Sequence, residues 1–207
     1  MNLANKLTVT RICLVPFFVL FIELGGFLNT VFALIIFFTA SITDFFDGHI
    51  ARKNKLITSL GIFLDPLADK LLISSAFICF AGISYLKISA WMVIAIISRE
   101  FLITGLRSIA AYKNVIIPAD KLGKFKTTSQ VIVIITTLLV MIFNEAFAEY
   151  SGVPLGFLKF HSSGIYFYIV AVIEKIPHWT TLFAALFTIL SGINYIFKYK
   201  VLLNENG

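Results

Sequence analysis

The sequence predicts an all-α integral membrane protein of six transmembrane helices. Hydrophobic residues make up 59% of the 207-residue chain, and the mean hydropathy is +0.94, a composition typical of membrane proteins. Six apolar stretches each reach the ~20 residues needed to cross a hydrocarbon core. Basic residues are also distributed very unevenly between alternate connections, as the positive-inside rule requires of a multi-pass protein.

The first helix is read over 7–24 and ends at Gly25-Gly26. The second covers 28–53, up to Asn54-Lys55, and the third covers 58–83, with a break around Gly82. The fourth, 88–112, and the fifth, 124–146, flank Pro118-Ala119-Asp120. The last is read over 179–199. Residues 147–178 are apolar but interrupted by Gly152, Pro154, Gly156, Gly164 and Pro177. Their longest uncharged run, Gly164 to Ile173, is too short to span, so a short interfacial or re-entrant segment is expected before the last helix. A seventh span there would put the C-terminus outside, against the charge distribution. The chain reads as one membrane domain, 1–207, without an internal repeat or a cleavable signal peptide. Its 22 phenylalanines suit lipid-facing and inter-helix packing. Cys13 and Cys79 lie in apolar segments and are expected to be inert buried thiols.

One set of connections and termini carries Lys6, Arg11, Arg52, Lys53, Lys55, Lys113, Lys121, Lys124, Lys126, Lys198 and Lys200. The other set carries only Lys87, Lys159 and Lys175. This asymmetry places both termini in the cytoplasm, and Trp91 and Trp179 then fall at the outer face, where an aromatic belt is expected. The net charge of +6 fits this topology and anionic lipids better than nucleic-acid binding.

Four aspartates interrupt the apolar pattern. Asp44 and Asp47 close the second helix, and Asp65 and Asp69 open the third. Together with Gly48, Ala51, Arg52 and Gly61 they form D-x2-D-G-x2-A-R-x8-G-x3-D-x3-D. A charge at bilayer depth costs at least ~2.5 kcal/mol, and nearby cations are too few to make four carboxylates merely structural. At 100° per residue, Asp44, Asp47, Gly48 and Ala51 share one stripe, and Gly61, Asp65 and Asp69 share another. Two such stripes face to face would form an all-oxygen cage suited to Mg²⁺ or Mn²⁺. The charge distribution independently puts all four aspartates on the cytoplasmic side.

The motif resembles the signature of the CDP-alcohol phosphatidyltransferase family and matches it at every fixed position. The resemblance implies a membrane enzyme that displaces CMP from a CDP-linked lipid with an alcohol, using two divalent cations. It also implies that Asp44, Asp47 and Asp65 bridge the metals. Asp69 would contact one metal and act as general base for the attacking hydroxyl. Gly48, Ala51, Arg52 and Gly61 would bind the CDP moiety, with Arg52 as the phosphate partner. The small residues also suit close helix packing in their own right.

Further segments extend the resemblance. Asn5, Thr8 and Arg11 form the N-x2-T-x2-R element typical of bacterial members and share one helical face. A cap and a positive anchor would explain them equally. The resemblance adds Asn5 and Thr8 to the CDP-binding set and places the protein in a bacterial cytoplasmic membrane. S-R-E-F from Ser98, Leu106-Arg107 and K-x-G-K-x-K-T-x2-Q up to Gln130 resemble the phosphatidylglycerophosphate synthases of the family, as does S-G-x2-Y at Ser191–Tyr195. This implies CDP-diacylglycerol and glycerol 3-phosphate as substrates, with Arg99, Arg107, Lys121, Lys124 and Lys126 binding the glycerol phosphate. A homodimer is expected on the same ground. The plain alternatives are that Arg99 pairs with Glu100 or another carboxylate and that the lysines form a positive-inside loop. Among functions, the same chemistry with inositol phosphate, serine or phosphatidylglycerol competes. A divalent-cation transporter is disfavoured because its carboxylates would lie near the midplane. His49, His161 and His178 fit no catalytic or zinc pattern.

Overall fold

The computed structural model describes residues 3–54, 59–113, 121–153, 157 and 165–199. The described part is helical, with six long helices: α1 (Leu3–Leu24), α2 (Phe27–Asn54), α3 (Ser59–Gly82), α4 (Ala90–Tyr112), α5 (Lys121–Ser151) and α6 (Ile165–Tyr199). Each expected helix is present.

Turn chemistry sets the connections. Gly25 and Gly26 take φ of 60° and 86°, a backbone that glycine adopts without a Cβ penalty. The Asn29 amide donates to the Gly25 carbonyl at 2.7 Å, which fixes the start of α2. A 3-10 turn at Ser84–Leu86 links α3 to α4. There His178 Nδ1 donates to the Lys87 carbonyl at 2.7 Å and ties this turn to α6. Gly152, with φ of 72°, ends α5.

The helices pack in a closed circuit, α1–α2–α5–α6–α4–α3 and back to α1, with α3 also touching α5. Phe18, Phe37, Phe77 and Phe80 are fully buried at its centre. Many other large apolar side chains face outward, among them Phe17, Leu20, Phe32, Ile94, Phe183 and Phe197. A soluble bundle does not expose apolar surface this continuously, whereas a lipid-embedded one must. By length and composition, Leu7–Leu24, Phe125–Ser151 and Phe167–Tyr199 can each cross a membrane. Phe27–Thr43 and Lys70–Gly82 are shorter apolar runs. Cys79 is buried as expected, but Cys13 is exposed on α1 because its position faces away from α2 and α3.

The segment expected to lie apart from the last helix does not do so in its described residues. Residues 147–151 finish α5, and 165–178 form the first half of α6, which is 35 residues long. Pro177 reads as a stop because a proline in a helix removes one backbone donor at a cost of about 3 kcal/mol. Membrane helices tolerate that loss where the neighbouring turns are packed and back-bonded. Val170 is buried ahead of the proline, and Thr180 Oγ1 donates to the Ile176 carbonyl at 2.8 Å just after it. Beyond it, α6 buries a stripe of small residues, Thr181, Ala184, Ala185, Thr188 and Ser191, while Phe183, Leu186 and Leu190 stay exposed. Small side chains on the inner face let α6 approach α4 and α5 closely.

Candidate active site

The end of the bundle where α2 finishes and α3 begins holds the sequence motif. Asp44, Asp47, Gly48, Ala51 and Arg52 lie on the C-terminal part of α2, and Gly61, Asp65 and Asp69 on the N-terminal part of α3. Their side chains lie outside the described residues, as do those of Asn5, Lys121 and Lys124. Among the described residues no three His, Cys, Asp or Glu side chains gather as a metal site. The donor chemistry of the motif, four carboxylates and no soft ligand, suits a hard divalent cation. On α1, Thr8 and Arg11 are both buried, consistent with one inward-facing stripe.

The described part of the site is organised by α4. Its Glu100 forms an ion pair with Lys126 of α5. It also accepts a hydrogen bond from Gln130 Nε2 at 3.4 Å. Lys126 is 3% exposed, so this ammonium is nearly sealed into the seam between α4 and α5. A buried charge is tolerated only when paired and hydrogen-bonded. A small polar cavity beside the pair is lined by Lys70, Ser74, Glu100, Lys126, Thr127 and Gln130.

The two arginines of α4 turn toward α6. Arg99 Nη2 donates to Ser191 Oγ at 3.0 Å, while its closest approach to Glu100 is a looser 4.0 Å. Arg107 Nε donates to the Tyr195 hydroxyl at 3.2 Å, and its guanidinium carbon lies 5.8 Å from the Tyr195 ring centre. Partner numbers rise together along α4 and α6, so the two helices run in the same direction here. Gly192 sits between the two contacts. A β-carbon there would lie 2.9 Å from Arg99 Cγ, a distance real structures avoid.

The structure therefore places Arg99 and Arg107 on α4 and Lys126 on α5, with α6 packed beside both helices. Sequence reasoning did not identify Glu100 as the partner of Lys126, nor Ser191 and Tyr195 as partners of the arginines. The available signal was S-G-x2-Y, in which a hydroxyl, a missing side chain and a phenol recur on one helical face.

The CDP-alcohol phosphatidyltransferase family profile matches residues 1–200. The chain belongs to that family. Among curated proteins, this phosphatidyltransferase is 45% identical over 150 residues to the CDP-diacylglycerol–glycerol-3-phosphate 3-phosphatidyltransferase of Bacillus subtilis, covering 67% of this chain and 77% of the relative. It is 35% identical over 194 residues to the protein of that name from Rickettsia bellii, covering 94% and 93% of the two chains. A third relative of that name, from Mycoplasma pneumoniae, is 33% identical over 161 residues, covering 69% and 70%.

Proposed function

We propose that this CDP-alcohol phosphatidyltransferase transfers the phosphatidyl group of CDP-diacylglycerol to sn-glycerol 3-phosphate, forming phosphatidylglycerol phosphate and CMP. The observation that carries this reading is the near full-length similarity to relatives named for that reaction, 94% of the chain in one case. The 1-hydroxyl oxygen of glycerol 3-phosphate attacks the phosphorus that bears the diacylglycerol. The bond from that phosphorus to the oxygen of CMP breaks, and CMP leaves with the electron pair. Asp69 accepts the hydroxyl proton. Asp44, Asp47, Asp65 and Asp69 would hold two divalent cations, Mg²⁺ or Mn²⁺, which would supply positive charge to neutralise the diphosphate and the leaving oxygen.

Arg52 forks onto the CDP phosphates, and Gly48, Ala51 and Gly61 leave room for the nucleotide beside Asn5 and Thr8. Arg99 and Arg107 present cations to the acceptor phosphate, with Lys121 and Lys124 at the mouth of the site. Lys126 contributes its charge from behind, held by Glu100. In this reading the protein crosses a bacterial cytoplasmic membrane several times, with both termini and the site on the cytoplasmic side. It works as a single-domain protomer of a homodimer.

The test offers purified protein CDP-diacylglycerol, Mg²⁺ or Mn²⁺, and a panel of alcohols, and measures CMP release. Release with glycerol 3-phosphate alone is expected. Release only with inositol phosphate, serine or phosphatidylglycerol would reassign the acceptor and leave the family chemistry in place.

A further inference from the structure

Ser191, Gly192 and Tyr195 of α6 belong to no catalytic or nucleotide-binding motif in the proposed reaction, yet all three meet the arginines of α4. Ser191 is 7% and Tyr195 4% exposed. Each spends its side-chain oxygen on a guanidinium, Ser191 on Arg99 at 3.0 Å and Tyr195 on Arg107 at 3.2 Å. Gly192 supplies the space in which the Arg99 stem lies, since a β-carbon would come within 2.9 Å of its Cγ.

Free arginine side chains are long and rotamer-rich, and two of the same charge repel each other. Bringing both to one small dianion requires that their freedom be removed beforehand. A guanidinium has five N–H donors. One hydrogen bond to α6 fixes each plane and leaves further N–H donors on each guanidinium, among them a buried Arg99 Nε with no partner among the described residues. Tyr195 adds its ring face to the hold on Arg107, at 5.8 Å. Arg107 nonetheless remains exposed on its other side.

We propose that Ser191, Gly192 and Tyr195 are positioning residues: α6 acts as a jig that presents Arg99 and Arg107 as a preset pair for an alcohol bearing a phosphate monoester. The proposal rests on the reading of Arg99 and Arg107 as acceptor-phosphate ligands. It adds that acceptor selectivity is set partly from a helix outside the aspartate motif. Neither Ser191 nor Tyr195 touches the reacting atoms. Their removal should therefore weaken acceptor binding while chemistry on bound substrate continues.

The test measures initial rates for wild type, Ser191→Ala, Tyr195→Phe and Gly192→Ala in mixed micelles, varying each substrate at saturating levels of the other. Tyr195→Phe and Ser191→Ala remove one oxygen each and leave the packing shape, so both are expected to fold. The expected result is a KM for glycerol 3-phosphate raised roughly 5- to 30-fold, part of what loss of a charge-assisted hydrogen bond produces. KM for CDP-diacylglycerol and kcat should stay within about 3-fold. Ser191→Thr, which keeps the hydroxyl, should restore KM toward wild type. Gly192→Ala should show the same bias as Ser191→Ala, because its methyl group displaces Arg99. An unchanged KM for glycerol 3-phosphate in Tyr195→Phe and Ser191→Ala would overturn the proposal. So would an equal rise in both KM values, which marks a merely structural role. Wild-type protein that releases CMP only with an unphosphorylated alcohol would instead overturn the acceptor assignment, and the variants would not be needed to see it.

Discussion

Glu100 of α4 and Lys126 of α5 face each other in a nearly sealed seam, their side chains 16% and 3% exposed. The pair joins α4 to α5, and it borders the cavity that is also lined by Lys70.

Removing one member of such a pair leaves a buried charge without its counter-ion, which costs about 3–5 kcal/mol. Glu100→Ala is therefore expected to lower Tm in detergent more than the double variant Glu100→Ala/Lys126→Ala, in which no charge is stranded. Thermal unfolding of the wild type, both single variants and the double variant gives the cycle. Equal and additive losses would show that the two residues are independent.

Asp69→Asn is expected to abolish turnover while CDP-diacylglycerol binding survives, because the amide cannot accept the proton of the attacking hydroxyl. Single-turnover CMP release and a binding measurement on the same preparation check this. Near-normal turnover would remove the general-base role.

Activity should require a divalent cation. Asp44→Ala and Asp65→Ala should weaken metal binding, read by titrating Mn²⁺ against the protein. Full activity in excess chelator, with metal-free protein confirmed, would sink the two-cation reading. Each lost ligand removes a full negative charge from the proposed cation-binding set, so the effect on metal binding should exceed that of any single lysine variant.

Arg107→Ala and Lys124→Ala should raise KM for glycerol 3-phosphate by roughly 10- to 150-fold, the range for a lost charge-assisted hydrogen bond. KM for CDP-diacylglycerol should move much less, and Arg52→Ala should show the opposite bias. If both variants impair only the nucleotide-lipid, the acceptor pocket lies elsewhere.

The fold was legible in the sequence to the extent that local signals determine it. Gly25-Gly26 marked the first turn because its backbone needs φ values that other residues avoid. Each expected helix is present, and α1, α5 and α6 are also long and apolar enough to cross a membrane. Pro177 misled because a proline lowers helix propensity locally, whereas the burial that carries the helix past it involves Val170 on one side and Thr181 and Ala184 on the other. The aspartate motif was legible as chemistry, since carboxylates in lipid demand an explanation. What α4 does with its charges was not. Whether Arg99 meets Glu100 next to it or Ser191 far along the chain depends on which helices become neighbours. Lys126 carried the same ambiguity, because its counter-ion lies on another helix.

The contact between Arg99 and Ser191 spans 92 residues, and that separation is also an interval of time during synthesis. At roughly 5–20 residues per second, α4 leaves the ribosome on the order of 5–20 s before the part of α6 that satisfies it. An arginine in mid-membrane without partners is disfavoured by about 2.5–3.5 kcal/mol on insertion scales. The nascent α4 carries two, and its Glu100 also waits for Lys126. If α4 crosses the membrane, its integration therefore depends on partners made after it. Chains stopped after α5 should leave α4 loosely inserted, which a membrane-impermeant thiol label at Ser98→Cys would reveal. The last helix thus supplies the partners that the arginines of the fourth lack while it is being made.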